Sequence, residues 1–200
     1  GRTVVTSSVS DASAGGAGGA AGVGFQNQVF AWAAASVIAE EPLLQPLVVG
    51  TVVQVGAQTG SEVDDVVVLT DSGNGAFLQA KIKLASSTHA DSPLSKGLKQ
   101  AVRQYLVGTV PEPGSSGRRF DPARDAIVLC TDPAAPSTIR VDLAAAVSRV
   151  ASQPSGTVFG AELTKQQDRV LTVALDHIRR LWSEEATSGD PSDEEIRTFL

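Results

Sequence analysis

A chain of 200 residues with 42% apolar side chains can bury a core but is short for two independent domains, so we expect one domain. The formal net charge of −6 argues against a protein that coats nucleic acid through bulk positive charge. A single cysteine excludes an internal disulfide framework, and two histidines make a histidine-rich metal site or a serine–histidine hydrolase a poor candidate.

Targeting signals are not evident in the chain. No apolar run approaches the roughly 20 residues of a membrane span, and the start GRTVVTSSVS lacks the apolar segment of a secretion signal. We therefore expect a soluble, cytoplasmic protein with no membrane partner. Because methionine is absent even at position 1, we also expect the 200 residues to be a segment of a longer protein.

The first part of the chain is predicted to be an arm followed by a helix. Residues 1–24 are interpreted as a flexible arm, because 7–24 are almost entirely Ser, Ala and Gly. A helix is predicted over about 25–40, ending before Pro42. Its pattern has spacings of three and four residues, at Phe25, Val29, Trp32, Ala33, Ser36 and Val37.

A β-hairpin is predicted next, with an apolar run at 66–69, the turn DSGNG and a second strand over 76–84. One face of the second strand is apolar, at Leu78, Ala80, Ile82 and Leu84. The other face carries Phe77 and three polar residues, at Gln79, Lys81 and Lys83. Since strand side chains alternate, the second strand is predicted to bury one face and to line a polar feature with the other.

The remainder of the chain predicts helices and one further strand. In SPLSKGLKQAVRQYL, Ser92 is a helix N-cap and Pro93 the first helical residue. DAIVLCTD predicts a strand buried on both faces, in which Cys130 is a structural residue rather than a nucleophile. Capping boxes predict two more helices, after Thr164 and after Ser192. This order predicts an α/β fold with helices packed on a mixed sheet.

The hairpin contains the residue types that metal-dependent phosphodiester hydrolysis uses. Mg²⁺ takes oxygen ligands, which an Asp carboxylate and an amide carbonyl can supply. An ammonium group nearby can orient the attacking water or stabilise the transition state. Asp64 and Asp65 both remain candidate ligands, because a slip of one residue exchanges the two faces of a strand.

The segments EVDDVVV and LQAKIKL, joined by a glycine turn, resemble the D…(D/E/Q)xK core of the PD-(D/E)XK nuclease superfamily, in its Mrr-like branch where Gln replaces the usual acid. GVGFQNQVFAW is similar to the first helix of the nuclease domains that head bacterial antiphage effectors, both the cyclic-oligonucleotide-activated ones and the antiviral STAND NTPases. The resemblance is good over roughly 22–106 and weak elsewhere.

The resemblance implies a restriction-endonuclease-like fold over 25–188, a mixed central sheet flanked by helices. Residues 189–200 would lead to a further domain, an NTPase or a ligand sensor. The implied site residues are Asp64 or Asp65 as the metal-binding acid, Gln79 as the second ligand, Lys81 as the catalytic lysine and Gln26 as an assisting residue. The implied ion is Mg²⁺ or Mn²⁺, the partner is DNA, and a homo-oligomer is compatible with this activity.

Two alternatives to a DNA nuclease stay open. The chain could be a catalytically silent DNA- or protein-interaction module on the same fold, or its substrate could be RNA. Gln79, Lys81 and Lys83 could also be the solvated face of an edge strand. Four basic residues are candidates for contacts to the DNA backbone: Lys83, Lys96, Lys99 and Arg103. For Lys96, Lys99 and Arg103, which lie on the helix predicted after Ser92, an ordinary solvated helix face is an equally good explanation.

Overall fold

The structure is a computed structural model that describes residues 3–6, 17–45, 47–57, 61–63, 65–112, 116–154, 157–158, 160–186 and 189–200. In chain order its elements are β1 Thr3–Thr6, α1 Ala17–Ala39, β2 Val52–Ala57, β3 Val66–Thr70, β4 Gly75–Lys81, α2 Pro93–Val107, β5 Thr109–Val110, β6 Arg118–Arg119, β7 Ala126–Thr131, a π-helical segment Thr138–Leu143, α3 Ala144–Ser152, α4 Lys165–Glu185 and α5 Asp193–Phe199.

The chain divides into two compact units. The first unit comprises Gly1–Ile82 and Val107–Cys130. The second comprises Lys83–Leu106 and Thr131–Leu200. Within the described ranges no helix is both long and apolar enough to cross a membrane.

The first unit is built on a five-stranded mixed sheet, in which the strands follow the order β1-β2-β3-β4-β7. β1 runs parallel to β2, whereas the β2–β3 and β3–β4 pairs are antiparallel. Val29, Ala33 and Val37 of α1 pack on one face of this sheet. The predicted α/β fold with a mixed sheet is confirmed.

Residues 1–24 were predicted to be a flexible arm, and the structure describes a regular element at each end of this segment. Thr3–Thr6 forms strand β1, and α1 begins at Ala17, eight residues before Phe25. β-branched Val and Thr favour strands, and alanine is the best helix former. The prediction from Ser, Ala and Gly content did not consider these two preferences. Residues 7–16 lie outside the described ranges. In the predicted helix stripe Val29, Ala33 and Val37 are buried, Phe25 and Ser36 are half-buried, and Trp32 is 49% exposed.

Both faces of the central hairpin are covered, which corrects the prediction that β4 buries only one. Val66, Val68 and Leu78 contribute to the cluster that contains the α1 side chains. On the opposite face, Phe77 packs with Val110 and with neighbouring β3 residues. Side-chain alternation shows which residues share a face, but it does not show what covers that face.

Strand β4 is also shorter than predicted, because it ends at Lys81. Lys83 adopts a positive φ of 55°, so the alternation expected through Leu84 does not continue. Gln79 and Lys81 therefore lie at the carboxyl end of the strand. Gln79 is buried and Lys81 is half-buried there.

The second unit is helical in its described residues. One apolar cluster joins its helices, through Val102 of α2, Val150 of α3, Ile178 of α4 and Ile196 of α5. The predicted N-cap is present, since the Ser95 amide donates to Ser92 Oγ over 3.1 Å. Both predicted capping boxes are present as well. Residues 189–200, expected to lead to another domain, thus contribute α5 to this core.

Candidate active site

The pairing register of β3 and β4 brings Asp65 and Gln79 together. Val66 pairs with Leu78 and Val67 with Phe77, so the same register continued by one residue places Asp65 opposite Gln79. The Gln79 side-chain amide donates a hydrogen bond to Asp65 Oδ2. The backbone amide of Ala80 donates to the same oxygen over 2.8 Å. The carboxylate at the start of β3 is therefore held against the end of β4.

Lys81 completes the cluster. Its Nζ lies 3.9 Å from Asp65 Oδ2, and the two side chains are 25% and 16% exposed. One carboxylate oxygen thus faces three donor groups, an amide, a backbone N–H and an ammonium. The three side chains carry −1, 0 and +1, so the cluster is neutral overall.

The carbonyl end of the Gln79 amide has no such partner. Gln79 is 1% exposed, and its Oε1 accepts no hydrogen bond from the residues that the structure describes. A buried polar atom left unsatisfied costs about 1–3 kcal/mol and calls for an explanation. An amide carbonyl oxygen is a ligand type that Mg²⁺ accepts, so this atom and the Asp65 carboxylate fit part of a metal site.

Gln26 of α1 acts on the site from outside it. Its Nε2 donates to the backbone carbonyl oxygen of Asp65 over 3.2 Å. This bond fixes the chain where it enters β3, so Gln26 positions Asp65 without touching its carboxylate. The structure therefore brings Gln26, Asp65, Gln79 and Lys81 together, and Asp64 lies outside the described residues.

The predicted DNA-binding residues all lie in the second unit. Lys99 Nζ is 3.8 Å and Arg103 Nε is 3.6 Å from the carboxylate of Glu185, which offsets part of their positive charge. Lys96 is exposed and has no ion-pair partner within the described ranges. Lys83 is exposed just beyond β4. The sequence did not indicate that Glu185 pairs with these two cations, because Glu185 lies far along the chain, at the end of α4.

A second polar cluster, which the sequence did not indicate, fixes the other end of β4. Both terminal nitrogens of Arg118 donate hydrogen bonds to the Asp125 carboxylate, Nη1 to Oδ2 over 2.5 Å and Nη2 to Oδ1 over 2.6 Å. The Gly75 amide donates to Asp125 Oδ1 over 2.7 Å. The hydrogen bond to Asp125 raises the pKa of Arg118, which stays charged. This clamp anchors the first residue of the strand that ends at Lys81.

Cys130 lies in β7, where burial, followed by the negative charge of Asp65, raises the pKa of its thiol from 9.0 to about 11. The thiolate is the reactive form, so we expect iodoacetamide to alkylate the native protein about 100-fold more slowly than the unfolded protein at pH 8. Mass spectrometry of samples quenched over time, with and without guanidinium, measures this ratio. Equal rates would contradict the raised pKa of the thiol.

The sign of the pH effect follows from the same shift. The folded thiol holds its proton more tightly than the unfolded one, so its contribution to stability is intact below pH 9 and is lost as the pH rises towards 11. A cysteine with a raised pKa is a poor nucleophile, which agrees with its predicted structural role.

The ligand set of the candidate site is sparse. Within the described ranges no three or more His, Cys, Asp and Glu side chains gather as a metal-binding group. No known protein family, curated protein or solved structure matches this chain. The geometry around Asp65 and the motif resemblance are therefore the two supports for a function.

Proposed function

We propose that this chain is a metal-dependent endonuclease domain that hydrolyses phosphodiester bonds of DNA, with double-stranded DNA as its substrate and little sequence specificity. It would serve as the effector module of a cytoplasmic antiphage protein. One observation carries the proposal. The Asp65 carboxylate, the Lys81 ammonium and the Gln79 side-chain amide lie together where β3 begins and β4 ends, and the Oε1 of that amide has no partner among the described residues.

Two side chains would hold the ion, Asp65 through its carboxylate and Gln79 through its carbonyl oxygen. Mg²⁺ is commonly bound by one or two carboxylates together with substrate phosphates and water, so a sparse protein set is compatible with it. A bound ion would lower the pKa of a water molecule and neutralise charge on the scissile phosphate. Mn²⁺ accepts the same oxygen ligands.

The other residues position these groups. The Ala80 amide and Gln26 fix the carboxylate and the backbone of Asp65, which limits its movement when substrate arrives. Lys81 keeps its ammonium beside Asp65, where it can donate a hydrogen bond to a phosphate oxygen or to the attacking water. These groups contact phosphate rather than base edges, and little sequence specificity is expected.

Supercoiled plasmid tests the proposal directly. With Mg²⁺ or Mn²⁺ we expect conversion to nicked and linear forms, and with EDTA we expect none, because the ion supplies the activated water. Agarose gels at several protein concentrations measure the rate. Folded RNA under the same conditions is the second arm, since cleavage of RNA alone would assign an RNA nuclease. Intact nucleic acid that is nevertheless retarded in a gel-shift assay would support the silent interaction module instead.

A further inference from the structure

The two ends of the buried Gln79 amide are used unequally. Its nitrogen donates to Asp65, whereas its oxygen has no partner among the described residues. For an amide that is 1% exposed, a turn of 180° about its last side-chain bond exchanges the two ends within the same space. The turned amide would present Oε1, not N–H, towards Asp65.

We propose that Gln79 is a two-position latch, whose amide holds Asp65 when no ion is bound and turns to offer Oε1 when an ion enters. The ion then loads only together with a DNA phosphate. This inference rests on the proposed function and adds a regulation of the same site. Metal and substrate binding become coupled, so the ion-free site stays closed.

The charges of the three side chains explain why ion binding would depend on the phosphate. Asp65 and Lys81 lie 3.9 Å apart with opposite charges, and Gln79 adds none, so these three side chains offer a free divalent ion no net negative charge. Asp65 Oδ2 already faces three donors, so an ion that binds through this oxygen displaces one of them. An incoming phosphodiester adds one negative charge and offers Lys81 a second anionic partner. Each change favours the ion.

A glutamate at position 79 could not work in this way. A carboxylate has no N–H to donate, so without an ion it would face Asp65 as a like charge. With an ion it would contribute one more negative ligand. Gln79→Glu should therefore weaken the closed site and strengthen ion binding in the absence of DNA.

Titration of Mn²⁺, followed by the electron paramagnetic resonance signal of the free ion, measures this coupling. The full chain is titrated with and without a short phosphorothioate duplex, which keeps its charge and resists hydrolysis. Asp65→Asn is titrated in parallel to subtract the ions that the duplex binds by itself. We expect the duplex to tighten binding to the wild-type chain roughly tenfold or more. Gln79→Glu should bind roughly tenfold more tightly than wild type without duplex.

Gln166→Glu is the matched control, because Gln166 is exposed on α4, which contributes no residue to the site, and the substitution adds the same charge. It should bind Mn²⁺ as the wild type does. Thermal unfolding in EDTA is the second readout. Gln79→Glu should lower Tm by roughly 5 °C, and Mn²⁺ should restore it, whereas Mn²⁺ alone should leave the wild-type Tm unchanged.

Equal Mn²⁺ affinity of the wild-type chain with and without duplex overturns the latch, and so does an unchanged affinity of Gln79→Glu without duplex. The comparison of the wild-type chain with and without duplex needs no variant, so it tests the latch even if Gln79→Glu does not fold. Plasmid cleavage separates the two proposals. If the chain cuts DNA but binds the ion equally with and without duplex, the nuclease proposal stands and the latch is contradicted. If ion binding depends on the duplex but no DNA is cleaved, the latch is supported and the nuclease proposal is contradicted.

Discussion

Replacing Lys81 by Met is expected to slow plasmid cleavage by about 100- to 1,000-fold while leaving the fold intact. The ammonium lies 3.9 Å from Asp65 Oδ2, at the point where a scissile phosphate would meet the carboxylate. Methionine keeps most of the apolar stem and removes the charge. Because the Lys81 side chain is 25% exposed, the substitution leaves no buried cavity.

The measurement is the initial rate of loss of supercoiled plasmid at saturating Mg²⁺, with Tm recorded to verify folding. Lys165→Met is the matched control, because Lys165 is an exposed lysine at the start of α4 and is not part of the proposed site. A Lys81→Met chain that cuts at the wild-type rate would remove Lys81 from the chemistry. An equal loss in Lys165→Met would show that total charge matters and position does not.

The neighbourhood of Gln79 and Lys81 could be predicted because it depends on local order. A strand alternates its side chains, so two residues at a separation of two share a face in any strand. The choice between Asp64 and Asp65 could not be predicted, because it depends on pairing with another strand. In the structure the register places the Asp65 carboxylate opposite Gln79, and Asp64 lies outside the described residues.

The parts of the site that escaped prediction are contacts between distant residues. The Arg118–Asp125 clamp reaches the β4 start from beyond α2, and Glu185 meets Lys99 and Arg103 from another helix. A single sequence shows the charge of each residue but not the partner that offsets it. The same limitation applies to β4, whose second face is covered by Val110 from a separate segment.

The last prediction concerns this clamp. Asp125→Ala is expected to lower the free energy of unfolding by about 3–5 kcal/mol. Arg118, whose side chain is 17% exposed, would lose its bidentate partner, the fully buried Asp125 carboxylate, and among the described residues would keep only the longer ion pair to Glu112 at 3.6 Å. The Gly75 and Asp121 amides would also lose their acceptor. Against a typical total of about 5–15 kcal/mol, this loss is large enough to unfold a marginal protein.

Urea unfolding followed by Trp32 fluorescence in a Trp182→Phe background measures the effect, because Trp32 belongs to the same unit as the clamp. Arg118→Met combined with Asp125→Leu is the matched variant, since it also removes the Arg118 charge, whose bidentate partner the single substitution deletes. It should be more stable than Asp125→Ala, because an apolar pair leaves no buried ion unpaired. A cost below about 1 kcal/mol for Asp125→Ala would place the pair among weak surface ion pairs. The strand that ends at Lys81 would then depend on its apolar neighbours for its position.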